Sequence, residues 1–226
     1  ASATEVMSAG KAVVLWVDTF NGHFETENAR DAVRVLQAAG YAVHVPGLQG
    51  EPLCCGRTYL ATGMPERARS SAGALVTALA PFAERGIAIV GLEPSCLLSL
   101  RDEALVMGLG EAAKTVATQA LTFEEFLARE ARVGRFAPSL TAAAKPIKVH
   151  GHCHQKAFGV VQPVLEVLRL IPGAKPELIE SSCCGMAGSF GYEAEHHAVS
   201  MQMAELSLLP AVRQAAPEAI VVADGT

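Results

Sequence analysis

Apolar residues along this chain fall into short continuous runs, separated by longer stretches in which they recur on one helical face. Residues 11–17 (KAVVLWV) form the first run, of the length expected for a buried strand. Over 25–39, Ala29, Ala32, Val33 and Leu36 share a face, and Gly40 supplies a C-terminal cap. Residues 41–45 (YAVHV) make a second strand, stopped by Pro46 and Gly47. This strand–helix–strand order predicts parallel pairing and a right-handed crossover. A helix then opens at Pro65, with Ala68, Ala72, Leu75, Leu79 and Phe82 as its stripe, and closes at Gly86. Residues 87–91 (IAIVG) are the third strand. Residues 97–144 read as helical, with Thr122 and Glu125 at capping-box spacing.

The order then recurs. Residues 147–151 read as a strand, 163–170 as a helix with Pro163 in its first turn, and 177–180 as a strand. Residues 189–209 read as largely helical, and 219–223 (AIVVA) as a strand. The expected fold is α/β, with two pseudo-symmetric Rossmann-like halves whose parallel sheets are flanked by helices. The halves span 11–137 and 146–226, joined through an alanine-rich segment with proline at each end, and residues 1–10 read as a disordered lead. Trp16, Met186, Met201 and Met203 are expected to fill the core.

Half of the 226 residues are hydrophobic, enough for a sizeable core, which excludes a disordered chain. The net charge of -5 gives no basic footprint for nucleic acid. No apolar run reaches the ~20 residues that span a bilayer, and the N-terminus shows no signal pattern. The six cysteines could form three disulfides. Adjacent cysteines rarely bridge each other, however, and a chain of this size folds without staples, so reduced thiols and a cytoplasmic location are expected.

Four of those cysteines occur in two identical tripeptides, Cys54-Cys55-Gly56 and Cys183-Cys184-Gly185. Each follows the second strand of its half, so both should lie at the carboxyl edge of a parallel sheet, where such folds place ligands. In the second half, Cys153, Cys183 and Cys184 come from two strand ends that a crossover helix brings back together. Converging thiolates suit a soft metal or an iron–sulfur cluster, against the plainer reading of cysteine as a small core residue. His150, His152 and His154 alternate around Cys153 and, on extended chain, face away from it. A turn after Gly151 would let a histidine approach the thiols, which makes zinc the alternative metal; solvated strand-end residues are the plain reading.

The first half offers Cys54, Cys55 and Cys96. Aligning the opening strands sets Thr19 opposite Cys153 and Asp18 opposite His152, leaving three thiols where a [4Fe–4S] cluster usually takes four. Glu93 can be an oxygen ligand or, the better reading, a helix cap. Gly185, Gly188 and Gly191 depart from a dinucleotide fingerprint and read as the tight turn that presents the thiols, with a nearby helix N-terminus favouring thiolate. His196 and His197 fall inside a helix and need no function.

Together these residues resemble the cysteine-rich CCG domain. It occurs in the heterodisulfide reductase B subunit, the glycolate oxidase iron–sulfur subunit, lactate-utilisation proteins and the C-terminal end of large FAD-linked oxidases. His152-Cys153-His154-Gln155-Lys156 and Ser182-Cys183-Cys184-Gly185-Met186 look most like the FAD-linked D-2-hydroxyacid dehydrogenase fusions. The resemblance implies an iron–sulfur, electron-transfer role. Electrons from a 2-hydroxyacid (glycolate, D-lactate or D-2-hydroxyglutarate type), taken by FAD in a partner flavoprotein domain or subunit, would pass on to an acceptor. It implies Cys153, Cys183, Cys184, Cys54, Cys55 and Cys96 as metal ligands, with His152, His154 and Glu93 as secondary candidates, and allows peripheral membrane association through partners.

Thr19 and Glu93 stand where the family pattern has cysteine, and that pattern would run past Thr226 to a last cysteine. A fragment short of a ligand is expected to hold no cluster or adventitious zinc. The chain has no FAD fingerprint or ferredoxin-like cysteine run, so alone it should oxidise no substrate. The competing function is a zinc-binding or metal-free docking module that organises a flavoprotein complex. A thiol redox enzyme is disfavoured because Cys-x-x-Cys spacing is absent.

Overall fold

Strand pairing in this protein is parallel throughout the described residues. The computed structural model describes residues 1–47, 52–143, 145–188 and 190–225. They divide into two compact units, Ala1–Pro138 and Ser139–Thr226.

The first unit begins with α1 (Ala3–Ser8), β1 (Ala12–Trp16), α2 (Thr19–His23), α3 (Thr26–Ala38) and β2 (Ala42–His44). It continues through α4 (Arg57–Ala61), α5 (Pro65–Ala83), β3 (Ala88–Gly91), α6 (Pro94–Ser99), α7 (Glu103–Val106) and α8 (Gly110–Gln119). It ends with β4 (Ala120–Thr122) and α9 (Phe123–Arg132). Its sheet order is β2-β1-β3-β4. β1 and β3 are central and need apolar side chains on both faces. Val13, Val14, Leu15, Trp16, Ile89 and Val90 meet that need, each at most 1% exposed. Leu75 and Leu79 of α5 and Leu97 of α6 join one core cluster with Val14, Trp16 and Ile89; burying each such side chain stabilises by about 1.5–3 kcal/mol.

The second unit comprises β5 (Pro146–His150), α10 (Cys153–Ala157), α11 (Gln162–Arg169) and β6 (Lys175–Leu178). A short 3-10 turn, Phe190–Tyr192, precedes α12 (His197–Glu205), α13 (Leu208–Gln214) and β7 (Ile220–Ala223). Its sheet order is β6-β5-β7, the arrangement of β2, β1 and β3 in the first unit. Its core is small: Ile147 and Val149 of β5 against Val164 and Leu165 of α11.

Several expectations are corrected. Residues 1–10 are not a disordered lead: Ser2 and Glu5 cap α1 reciprocally, and Val6 is fully buried. The middle of the chain is not helical throughout, because three residues of β4 extend the first sheet by pairing with β3. The 189–209 stretch is broken: His196 is only the N-cap of α12, and α12 ends at Glu205. Met201 is 40% exposed and fills no core gap. Ala144, Ser189 and Thr226, at ends of the expected segments, lie outside the described residues.

One buried charge joins the first unit's C-terminal helix to its sheet. Glu130 of α9 is 1% exposed. It accepts hydrogen bonds from Tyr41 Oη at 2.7 Å, Arg135 Nη2 at 2.9 Å and Arg129 Nε at 3.1 Å. Burial alone would raise its pKa, but the Arg135 and Tyr41 hydrogen bonds and the Arg129 charge outweigh it and hold the carboxyl below the usual range. A depressed folded pKa gives stability that is complete above the unfolded value near 4.3 and lost as pH falls through the folded one. Glu130→Gln is therefore expected to lower stability by about 1–3 kcal/mol at neutral pH, since both arginines can turn to water. The variant should also flatten the fall in melting temperature below about pH 4. Thermal melts across pH 2–7 check both statements.

Candidate metal centre

All strands of each sheet run the same way, so their carboxyl ends form one rim, and every cysteine follows a strand that ends there. All six are free thiols.

In the second unit β5 stops at His150, and the chain turns through Gly151 into α10. His152 is the N-cap, with its Nδ1 accepting from His154 N at 3.1 Å, and Gln155 completes a capping box. Cys153 is the first residue of this helix and is exposed. It is within hydrogen-bonding reach of Cys183 and feels the charge of Cys184 as well. Partial burial raises the Cys153 pKa, the two neighbouring sulfurs raise it further, and the Lys156 ammonium works against them. The sulfurs of Cys153 and Cys183, which follow β5 and β6, are thus neighbours, with Cys184 near enough to act on Cys153 electrostatically.

His150 ends β5, but His152 and His154 do not continue the extended chain: His152 caps α10 and His154 lies within it. His152 and His154 stack on each other, ring centroids 5.1 Å apart, with the His152 nitrogen used for capping. His150 is buried; its Nδ1 lies 2.8 Å from Ser181 Oγ, and burial, aided by Lys156, lowers its pKa. Lys156 Nζ donates to the carbonyls of Ser181 at 2.7 Å and Ser182 at 3.0 Å. Neither Lys156 nor Ser181 stood out in the sequence; the available signal was a cation three residues after Cys153.

Glycine shapes both Cys-Cys turns in the same way. Gly56 and Gly185 have φ of +80° and +91°, and their N–H groups donate to Cys54 Sγ at 3.4 Å and Cys183 Sγ at 3.3 Å. A Cβ at Gly56 would stand 2.4 Å from Ala68 O, and one at Gly185 would stand 2.1 Å from Ser200 O. The first turn is pressed against α5 and the second against α12.

The first unit repeats the geometry with different chemistry. Asp18 caps α2, accepting from Phe20 N at 2.9 Å and Asn21 N at 3.1 Å, and Thr19 takes the place of Cys153 at the head of the helix. Thr19 hydrogen-bonds with Cys54, and Cys55 bonds with both Cys54 and Cys96. Cys55 and Cys96 are 4% and 6% exposed, inside the apolar core. The bond with Cys55 and burial push the Cys54 thiol up; Cys55 is drawn down by Cys54 but pushed up to about 12 by Cys96 and burial. Glu93 caps α6, its Oε1 accepting from Ser95 N at 3.0 Å and Ser95 Oγ at 2.6 Å.

Among the described residues no three His, Cys, Asp or Glu side chains close into a metal cage. The donor set of the second unit suits a thiophilic centre in kind: sulfur ligands, with Cys153 exposed and Cys183 and Cys184 half-buried. In the first unit Cys55 and Cys96 are packed as core, and Cys54 is half-buried beside it.

Comparison with known proteins agrees with the second unit's chemistry. The chain is 30% identical over 188 residues to a subunit of the anaerobic glycerol-3-phosphate dehydrogenase of Escherichia coli (strain K12), covering 80% of this chain and 46% of that protein. It is 27% identical over 201 residues to D-2-hydroxyglutarate dehydrogenase of the same organism, covering 87% and 18%. The enzyme of that name from Pantoea ananatis (strain AJ13355) is 27% identical over 218 residues, covering 93% and 20%. The chain thus spans less than half the length of these curated relatives. Residues 147–226 match the family described as "CCG: Cysteine-rich domain".

Proposed function

We propose that this chain is an iron–sulfur electron-transfer module of a flavin-linked dehydrogenase. The observation that carries the reading is the nearness of Cys153, at the head of α10, to Cys183 of the Cys-Cys-Gly turn, with Cys184 close enough to act on it electrostatically. The names of the relatives, one a dehydrogenase subunit and the others dehydrogenases, support an oxidoreductase context. Cys153, Cys183 and Cys184 would hold the group, and a bound cluster would supply reversible one-electron transfer. The chain's own contribution is to fix Cys153 at the head of a capped helix, to hold Cys183 and Cys184 in a glycine turn with the Gly185 N–H directed at Cys183 Sγ, and to leave Cys153 open to a partner. A flavoprotein domain or subunit would deliver the electrons, taken from a small 2-hydroxyacid or a related alcohol such as the glycerol-3-phosphate for which one relative is named. A reducing, cytoplasmic setting fits thiols in this state, and membrane contact would come through a partner. No described helix is long and apolar enough to cross a membrane.

For the first unit, burial of Cys55 and Cys96 favours the second reading, a metal-free scaffold. There Cys54, Cys55 and Cys96 act as core residues and Glu93 as a cap.

Anaerobic purification followed by iron, acid-labile sulfide and zinc analysis tests the proposal. Iron and sulfide with a visible absorption band, all lost in Cys183→Ser, are expected. Stoichiometric zinc without sulfide, or a folded chain with no metal, would leave the docking-module reading in place instead.

A further inference from the structure

Cys153 and the Cys183–Cys184 pair arrive at the rim on separate stretches of backbone. Contact between thiols is too weak to hold two stretches in register. Lys156 joins them. It lies one helical turn beyond Cys153 on α10, so the two side chains are neighbours on one face. Its ammonium donates to Ser181 O at 2.7 Å and Ser182 O at 3.0 Å, the two carbonyls immediately before Cys183. β6 has already ended at Leu178, so the strand ladder does not fix this segment. Hydrogen bonds from a cation are about twice as strong as neutral ones, and an ammonium can donate three.

The same segment is held from two other sides. Ser181 Oγ is 2.8 Å from His150 Nδ1, and Ser182 N donates to Ser207 Oγ at 3.3 Å. The lysine stem passes close to Gly151, where an added Cβ would stand 3.5 Å from Lys156 Cε. The first unit offers an internal comparison. The alignment that sets Thr19 opposite Cys153 sets Gly22 opposite Lys156, and glycine has no side chain to make this link. The unit with accessible thiols carries the tether; the unit with buried thiols does not.

We propose that Lys156 is a positioning residue for the thiol site: its ammonium ties the helix that carries Cys153 to the segment that carries Cys183 and Cys184, keeping the two stretches near enough for their sulfurs to close on one thiophilic metal. The proposal rests on reading these thiols as metal ligands. Anaerobic titration of the reduced, metal-free chain with Co(II) tests it, followed through the thiolate-to-cobalt charge-transfer band that Cys183→Ser removes. Lys156→Met keeps the length and apolar character of the stem and is expected to weaken Co(II) binding by about 10–100-fold, the range for groups that support metal ligands. At saturation its band should match the wild-type band, because the ligands are unchanged. Lys156→Arg should recover most of the affinity. Should Lys156→Met fail to fold, Lys156→Gln carries the same comparison, with circular dichroism as the check on folding. Wild-type affinity in the folded Met or Gln variant overturns the tether and leaves the thiol site standing. Equal weakening in the Arg variant also overturns it. A wild-type chain with no thiolate band overturns the metal-site reading and the tether with it.

Discussion

Gly185→Ala is expected to destabilise the second unit by about 3 kcal/mol and to abolish metal uptake there. Two costs combine. A residue with a Cβ at positive φ costs roughly 1–2 kcal/mol, and Gly185 sits at φ +91°. The new methyl would also lie 2.1 Å from Ser200 O, a backbone atom of α12 that cannot rotate aside. Overpacking of this kind costs about 1–3 kcal/mol. The turn must move away from α12, and the Gly185 N–H then leaves Cys183 Sγ. Gly56→Ala meets the same obstacle, 2.4 Å from Ala68 O, and should cost a similar amount in the first unit without changing metal content. Thermal melts with metal analysis on both variants separate the effects. An unshifted melt for Gly185→Ala would show that the turn has room the structure does not reveal.

The second large effect is a contrast between cysteines that share a tripeptide. Cys183→Ser should leave the melting temperature of the metal-free chain nearly unchanged, because Cys183 is half-buried and outside the small core of its unit. It should remove bound iron. Cys55→Ser should do the reverse. Its side chain lies in the first core, 4% exposed, among Trp16, Leu97 and other apolar groups. A hydroxyl there needs a strong hydrogen-bonding partner where a thiol did not, at a cost of about 1–3 kcal/mol. Iron content and melting temperature of the two variants, measured on the same preparations, give the answer. Loss of iron from Cys55→Ser would make the first unit a metal site and remove the scaffold reading.

The architecture was legible because β1, β3 and β7 are unbroken apolar runs and α5 carries a clean stripe from Pro65. The repeat of β2-β1-β3 as β6-β5-β7 could be anticipated from element order alone. The capping box at Thr122 and Glu125 is present as its spacing implied. What escaped was short. β4 has three residues, Ala-Leu-Thr, too few for a period, and it owes its conformation to pairing with β3. α2 and α10 have five residues each and no apolar stripe; their N-caps and tertiary contacts define them. Without a stripe to mark α10, the sequence leaves open whether His152 and His154 continue the strand that ends at His150 or follow a turn after Gly151. At the site, sequence identified the thiols but not their surroundings. Identical Cys-Cys-Gly tripeptides gave no sign that one set would be buried and the other open. That difference comes from neighbours distant in the chain, such as Trp16 and Leu97 beside Cys55. The role of Lys156 was likewise invisible, since its acceptors are backbone carbonyls 25 and 26 residues away.

The unequal depth of the two sulfur groups has a practical corollary for handling the protein. Alkylating reagents and dissolved oxygen reach Cys153 first, while Cys55 and Cys96 are sheltered by hydrocarbon. An ageing sample would therefore lose its reactive half while spectroscopic measures of helix and sheet still report a sound molecule. Quality control on such a sample belongs to the sulfur chemistry and not to the folded backbone.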